Sequence, residues 1–513
     1  MLIESLGDIL HSKTKQLNTK PGQYLPTFYD RCPTFPSREI SPLETVVAWG
    51  TAKGNSYPYN AVHPFDDSII QSFPSPACPT SDRTLQVNDM RIGIIIGRIG
   101  DVDGVALETE KWIQVLKKMG HEIFILSGQF KEDVIEPENQ KARRAFSFFS
   151  PECEWEQNRA FFFPPDDSER LLNHLDGTAN TVATTVFQWI LDFRIDVLLV
   201  ENASSLPAHL SLGMGIMRCA ERVCLPIVIH HHDFSWERGS RYASPFPEIT
   251  QIVEETFPLR TSNARHAVIN SNQQDVLKEK FDIDAMVVPN VMNFDRPFAR
   301  KDSYNADLPA SIGLQEGDIP LFQITRIVER KGIEVAIDLV KRLEDPKVKL
   351  VITGSAADDH RKGYYGDLLS QIERNGLKDR VLFAHHKLLS NRGSSSTGER
   401  IFSLSDAYAH AVACTYFSTY EGFGNAFVEA VIARRPVFVN NYKPVYWPDI
   451  GRHGFKTVML ENNNLTDEAV AEIDRIVHDP ALQVEIAEHN FELGRKLFSF
   501  EVLEQKLQAI FPQ

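Results

Sequence analysis

The sequence predicts an α/β protein built from two Rossmann-like, doubly wound parallel-sheet domains that face a cleft, preceded by an N-terminal extension. Three observations carry this prediction. The 513 residues exceed the size at which one hydrophobic core stops growing. From Met90 onward, short β-branched runs alternate with amphipathic helical stretches, and the series runs twice. Before it, Pro21, Pro26, Pro33, Pro36, Pro58, Pro64, Pro74, Pro76 and Pro79 punctuate aromatic and polar residues without periodicity.

Residues 1–88 form the extension. Its Tyr, Phe and Trp content is that of a segment that packs on something, since free linkers are poor in aromatics, and this makes it a candidate device for homo-oligomer assembly. The first domain is expected over residues 89–295. Residues 91–97 read as an apolar strand and 98–104 as a glycine-bearing loop, with Trp112, Val115, Leu116 and Met119 on one helical stripe. Further strands are expected at 122–126, 195–201, 226–230, 266–270 and 285–288. The second domain, 296–495, should contain strands at 320–324, 348–353, 381–384 and 436–440, with helices at 333–343 and 467–477. A last helix within 496–513 is a candidate to pack back on the first domain. Two such domains leave a cleft at the carboxyl ends of their strands, where open α/β sheets bind ligands.

Composition narrows the function. With 42% hydrophobic and 24% charged residues the chain is of the ordinary globular class. Its 54 Lys+Arg against 69 Asp+Glu give a net charge of −15, a field that repels nucleic acid and anionic membranes. An anionic ligand therefore needs a local basic pocket. The six cysteines (Cys32, Cys78, Cys153, Cys219, Cys224, Cys414) are scattered and form no CxxC pair, as in a reduced, cytoplasmic protein. No basic, apolar leader opens the sequence, and no apolar run approaches the roughly 20 residues of a membrane span, so no membrane insertion is expected.

The strongest local signal is Ser418-Thr419-Tyr420-Glu421-Gly422-Phe423-Gly424-Asn425-Ala426-Phe427-Val428-Glu429-Ala430, a strand end and glycine turn that open an apolar helix. The glycines admit a ligand close to the backbone, and the helix start offers free N–H groups and a positive dipole end suited to phosphate. Glu421 at the turn and Glu429 two helical turns on can then divide sugar hydroxyls and a ribose diol between them. The second signal, Thr325-Arg326-Ile327-Val328-Glu329-Arg330-Lys331-Gly332, follows a strand and precedes a helix. There Arg326 and Lys331 place two positive charges suited to a leaving diphosphate.

These residues resemble family 4 of the retaining glycosyltransferases, of GT-B fold, whose C-terminal domain carries an Arg and a Lys five positions apart and a Glu-x7-Glu element. The resemblance extends over roughly residues 90–512: Asp103-Gly104 stands at the family's N-domain glycine loop, and Pro289-Asn290 at its interdomain turn. The stretch His230-His231-His232-Asp233-Phe234-Ser235-Trp236-Glu237-Arg238 is similar to a subset that acts on small soluble acceptors, the mannosylglucosylglycerate synthases among them. The resemblance implies transfer of a hexose from a nucleoside diphosphate sugar, UDP-glucose or GDP-mannose, with anomeric retention. It implies no tightly bound cofactor, no essential divalent metal, and a leaving phosphate that deprotonates the acceptor. Arg326 and Lys331 would bind the diphosphate, Glu429 the ribose, and Glu421 with the backbone of Gly422, Phe423, Gly424 and Asn425 the transferred sugar. His232 would face that sugar from the N-domain, with Asp103, Gly104 and Asp233 on the acceptor side.

Departures from the family pattern are Thr325, Val291 and Arg434 at positions usually glycine, and Asp103, which either accepts a hydrogen bond from a polyol acceptor or caps the helix at Val105. The triple histidine is not a metal signal, because neighbours on a strand point to opposite faces and no third ligand is signposted. His410, Tyr416, Phe417 and Tyr420 are expected in the core. Gly97, Gly100 and Gly104 form no full dinucleotide fingerprint, which argues against a dehydrogenase. A sugar-nucleotide epimerase or phosphorylase of the same fold, and a catalytically idle sugar-binding relative, stand as the alternatives.

Overall fold

Runs such as RIGIII and VLLVE become strands because β-branched and aliphatic side chains pack on both faces of a pleated ribbon, and parallel sheets bury both faces. In the computed structural model, which describes residues 89–101, 103–355 and 363–512, seven such strands form the first sheet. They are β1 (Arg91–Ile96), β2 (Glu122–Ser127), β3 (Gln140–Ala142), β4 (Val197–Glu201), β5 (Ile227–His231), β6 (Ala264–Val268) and β7 (Ala285–Val287). Their order is β3-β2-β1-β4-β5-β6-β7 and every neighbouring pair is parallel. The proline-rich extension, and the assembly role expected of it, lie outside the described residues.

The second sheet, of order β10-β9-β8-β14-β15-β16, is likewise parallel throughout. It comprises β8 (Ile319–Gln323), β9 (Val348–Ile352), β10 (Val381–Phe383), β14 (Ala413–Tyr416), β15 (Val437–Asn440) and β16 (Met459–Leu460). A small three-stranded sheet of β11 (Leu388–Leu389), β12 (Gly393–Ser394) and β13 (Arg400–Ser403) has no counterpart in the sequence reading, because strands of two to four residues are too short to show a period. In each large sheet the chain winds outward both ways from a central pair, β1 and β4 or β8 and β14. The crevice beyond the carboxyl ends of such a pair is where the fold offers a ligand site.

The helices that matter for the site are α1 (Gly104–Lys118), α2 (Ser271–Phe281), α3 (Ile333–Arg342), α4 (Leu404–His410), α5 (Asn425–Ile432), α6 (Pro480–Phe498) and α7 (Phe500–Ile510). The α7 residues Leu503, Leu507 and Ile510 bury against Trp112, Ile113 and Leu116 of α1, and Arg265 at β6 donates to the Ile510 carbonyl at 2.8 Å. The C-terminal helix thus belongs to the core of the first domain. The two chain crossovers lie side by side, with Met292 N–H donating to the Phe498 carbonyl at 2.8 Å. Two strand ends differ from expectation for local reasons. Residues 269 and 270 leave β6 because the Asn270 side chain accepts from Gln273 N–H and caps α2. Residues 195 and 196 precede β4 because the Asp196 carboxylate takes the Arg91 N–H at 2.7 Å. No helix among the described residues is long and apolar enough to cross a membrane.

Candidate active site

The charged residues singled out in the second domain follow β8 and β14, the pair flanking its switch point. Lys331 and Glu421 are both buried, and Lys331 Nζ donates to Glu421 Oε1 at 2.5 Å. Arg330, to which the sequence reading gave no role, donates to Glu421 Oε2 at 2.9 Å and to the Tyr420 carbonyl at 2.9 Å. Burial alone would raise the Glu421 carboxyl, but Lys331 and Arg330 outweigh it and hold it below the ordinary carboxylate value. Gln323, at the end of β8, fixes the lysine's loop: its amide donates to the Lys331 carbonyl at 3.0 Å and its oxygen accepts from Thr415 at 2.5 Å. Arg326 is exposed on the same loop, and its charge is felt at Lys331.

The glycine turn closes tightly. Gly424 sits at φ +121°, and a Cβ there would come within 2.1 Å of the Tyr442 hydroxyl, so neither the backbone conformation nor the space admits a side chain. Asn425 then opens α5, and Phe423 is buried beneath the turn. Glu429 accepts from the Tyr408 hydroxyl at 3.0 Å, and burial pushes its carboxyl above the ordinary value. Tyr416 and Phe417 are core residues as expected. His410 is half-buried and pairs with Asn305 at 3.2 Å, while Tyr420 is 36% exposed and reaches Glu237 of the first domain at 3.4 Å. Tyr420 is therefore an interdomain residue rather than a core one.

Arg434 resolves one departure, since it adopts φ +53°, the left-handed conformation that a glycine would supply, and its guanidinium lies 3.5 Å from the Phe491 ring centroid. Asp103 resolves another. Its Oδ1 accepts from Val105 and Ala106 N–H at 3.1 and 3.0 Å, and its Oδ2 from Arg98, so the geometry is that of the helix cap, with Gly104 as the first helical residue.

His232 follows β5, with its ring against His230 and Glu201. Its N–H donates to Asn202 Oδ1 at 3.0 Å, and its carbonyl accepts from Gln273 at 3.1 Å. A Cβ at Gly422 would lie 3.9 Å from that carbonyl, so the two predicted site segments adjoin. Asp233 accepts from Asn202 Nδ2 at 2.8 Å and pairs with Arg238. His231 points to the other face, as the alternation requires, and pairs with Ser205 and His266. His230 and His232 share a face with Glu201, a buried carboxylate at the end of β4 that the sequence reading did not signpost. The signal existed: Glu201 and His230 are register partners on adjacent strands, which pairing β4 with β5 would have shown. Asn270, Asn290 and Ser271 complete the interdomain seam through Gly422, Asn425 and Asp449 at 2.7, 2.9 and 2.9 Å.

The family described as "Glycosyl transferases group 1" matches residues 305–492, the stretch that carries Arg326, Lys331, Glu421 and Glu429. Mannosylglucosylglycerate synthase of Thermotoga maritima is 34% identical over 444 residues, covering 82% of this chain and 99% of that protein. The chain belongs to the group 1 glycosyltransferases. A mannosylglucosylglycerate synthase of Petrotoga mobilis is similar to this glycosyltransferase at 30% identity, over 80% of the chain and 99% of its own length. Among solved structures, a glycosyltransferase from Rickettsia africae aligns with a TM-score of 0.56 at 14% identity, covering 82% of this chain and 98% of that one. Anabaena HepE in complex with UDP and glucose aligns at 0.54 and 16% identity, with the same coverage. At such identities the two structures speak for the fold alone, and that fold is GT-B.

Proposed function

We propose that this glycosyltransferase moves a hexose from a nucleoside diphosphate sugar to a hydroxyl of a small soluble acceptor, with retention of anomeric configuration. The observation that supports it best is the convergence of Lys331, Arg330 and Glu421 beneath the glycine turn at the switch point of the second sheet. In an acidic protein this is a built anion site. Arg326 and Lys331 take the diphosphate there, aided by the start of α5, and stabilise it as it leaves. Glu429 takes the ribose diol, while Glu421 and the backbone of Gly422 to Asn425 take the sugar. His232 faces the sugar from the first domain, and Gly104 and Asp233 line the acceptor side. No cofactor or metal is assigned a role: the departing phosphate accepts the acceptor's proton.

The names of the two synthases contain a mannosyl, a glucosyl and a glycerate unit, which makes GDP-mannose the first donor and glucosylglycerate the first acceptor to try. The test incubates the enzyme with GDP-mannose or UDP-glucose and glucosylglycerate in the presence of a chelator, and assigns the new glycosidic linkage by NMR. An α-linked product from one donor supports the reading. A β-linked product, or donor consumption without a glycoside, contradicts it.

A further inference from the structure

Glu201 lies outside every role assigned above, yet it is fully buried and ionisable. Its Oε2 is 3.0 Å from His230 Nδ1 and 3.4 Å from His232 Nε2, and the two rings stand 4.3 Å apart. Trp112 of α1 stacks on His230 at 4.1 Å and walls off that side. The second carboxylate near this group, Glu108 on α1, is paired with Lys111. His231, between the two rings in sequence, is engaged on the opposite face by Ser205 and His266 and does not compete.

A buried carboxylate without counter-charge costs several kcal/mol, and the partners that act on Glu201 are the two imidazoles. They hold it far below the ordinary carboxylate range, to about 2. The main chain of His232 is pinned independently by Asn202 and Gln273, so Glu201 governs the one freedom left, the ring. We infer that Glu201 is a positioning residue: its carboxylate accepts from Nε2–H of His232 and fixes that imidazole's tautomer and tilt at the transferred sugar. The inference rests on the reading of His232 given above.

The rival arrangement is a cation held by Glu201, His230 and His232, a ligand set that zinc uses. Glu201 Oε2 hydrogen-bonds His230 Nδ1 at 3.0 Å, and His232 Nε2, buried with no hydrogen-bond partner among the described residues, stands 3.4 Å from the same oxygen, so a small rotation of its ring completes a second bond without an added ion.

A double-mutant cycle on kcat separates these cases. Glu201→Gln is expected to lower kcat by roughly tenfold or more while the KM for donor stays within about twofold, and to add less than about twofold in a His232→Ala background. Multiplying effects would overturn the inference, placing Glu201 in a role independent of His232. A His232→Ala enzyme with unchanged kcat would overturn the His232 reading and the inference with it. Two measurements on the wild-type protein decide the matter even if Glu201→Gln does not fold. Nitrogen NMR of labelled histidine should show His232 protonated at Nε2, and an unprotonated Nε2 overturns the assignment. Stoichiometric transition metal in the purified enzyme by elemental analysis would overturn it in favour of the cation site.

Discussion

Glu421 shares the two cations, Lys331 and Arg330, that the proposed diphosphate would also need. Replacing it with Gln leaves the shape and removes the charge. Turnover is expected to fall by roughly a hundredfold, while the affinity for free nucleoside diphosphate holds or rises, since Lys331 and Arg330 are released to the phosphates. Calorimetric titration alongside initial rates checks this, and weaker nucleotide binding would contradict it. The spacing of Arg326, Lys331, Glu421 and Glu429 was legible as a strand end and a helix turn, and the structure puts them there, with Lys331 and Glu421 in contact. Arg330 was missed because an arginine beside a glutamate reads as a solvated pair, and Glu201 because its partners come from another strand through a register that local patterning does not contain.

At the scale of elements, the carboxyl end of β5 is joined to the middle of β6 by the His231–His266 pair, with Nε2 and Nδ1 3.0 Å apart and the rings stacked. Burial lowers His266 from 6.5 to about 4. A depressed histidine favours the folded state fully above pH 6.5, and this contribution is lost as pH falls from 6.5 toward 4. The loss is about 3 kcal/mol at ~1.36 kcal/mol per pH unit. His266→Gln, which cannot titrate, is expected to flatten the acid limb of a denaturant-midpoint profile, and an unchanged limb would contradict the assignment. Most strands of both sheets were legible from apolar runs, to within a residue or two. The shifted ends were not, because Asn270 and Asp196 spend their side chains on local hydrogen bonds that compete with the ladder.

At the scale of the whole molecule, the crossover between domains is clasped by α1. Glu108 Oε1 accepts from Val291 N–H at 3.1 Å, and Lys111 donates to the Val291 carbonyl at 2.6 Å and to Glu108 Oε2 at 2.7 Å. Val291 occupies a position usually glycine in the family, and glycine is not required here: its φ is not positive and its side chain packs in the core. Glu108→Ala strips the buried Val291 N–H of its acceptor and the part-buried Lys111 ammonium of its counter-charge, a change expected to cost about 2 kcal/mol in chemical denaturation. Loss of less than about 0.5 kcal/mol would show that the clasp is incidental. The two-domain architecture was legible from the repeated alternation of strands and helices, whereas this clasp joins residues 180 positions apart and left no local trace.

The proposed function seats a nucleoside diphosphate at the turn between β14 and α5 and the loop after β8. It is tested most directly by calorimetric titration of GDP, UDP and ADP into the wild-type enzyme and into Arg326→Ala and Glu429→Ala. Binding of one nucleotide that each substitution weakens by roughly ten- to a hundredfold, the value of a hydrogen bond to a charged group, is the predicted result. Binding of a nucleotide that both substitutions leave unchanged would place the donor elsewhere in the molecule.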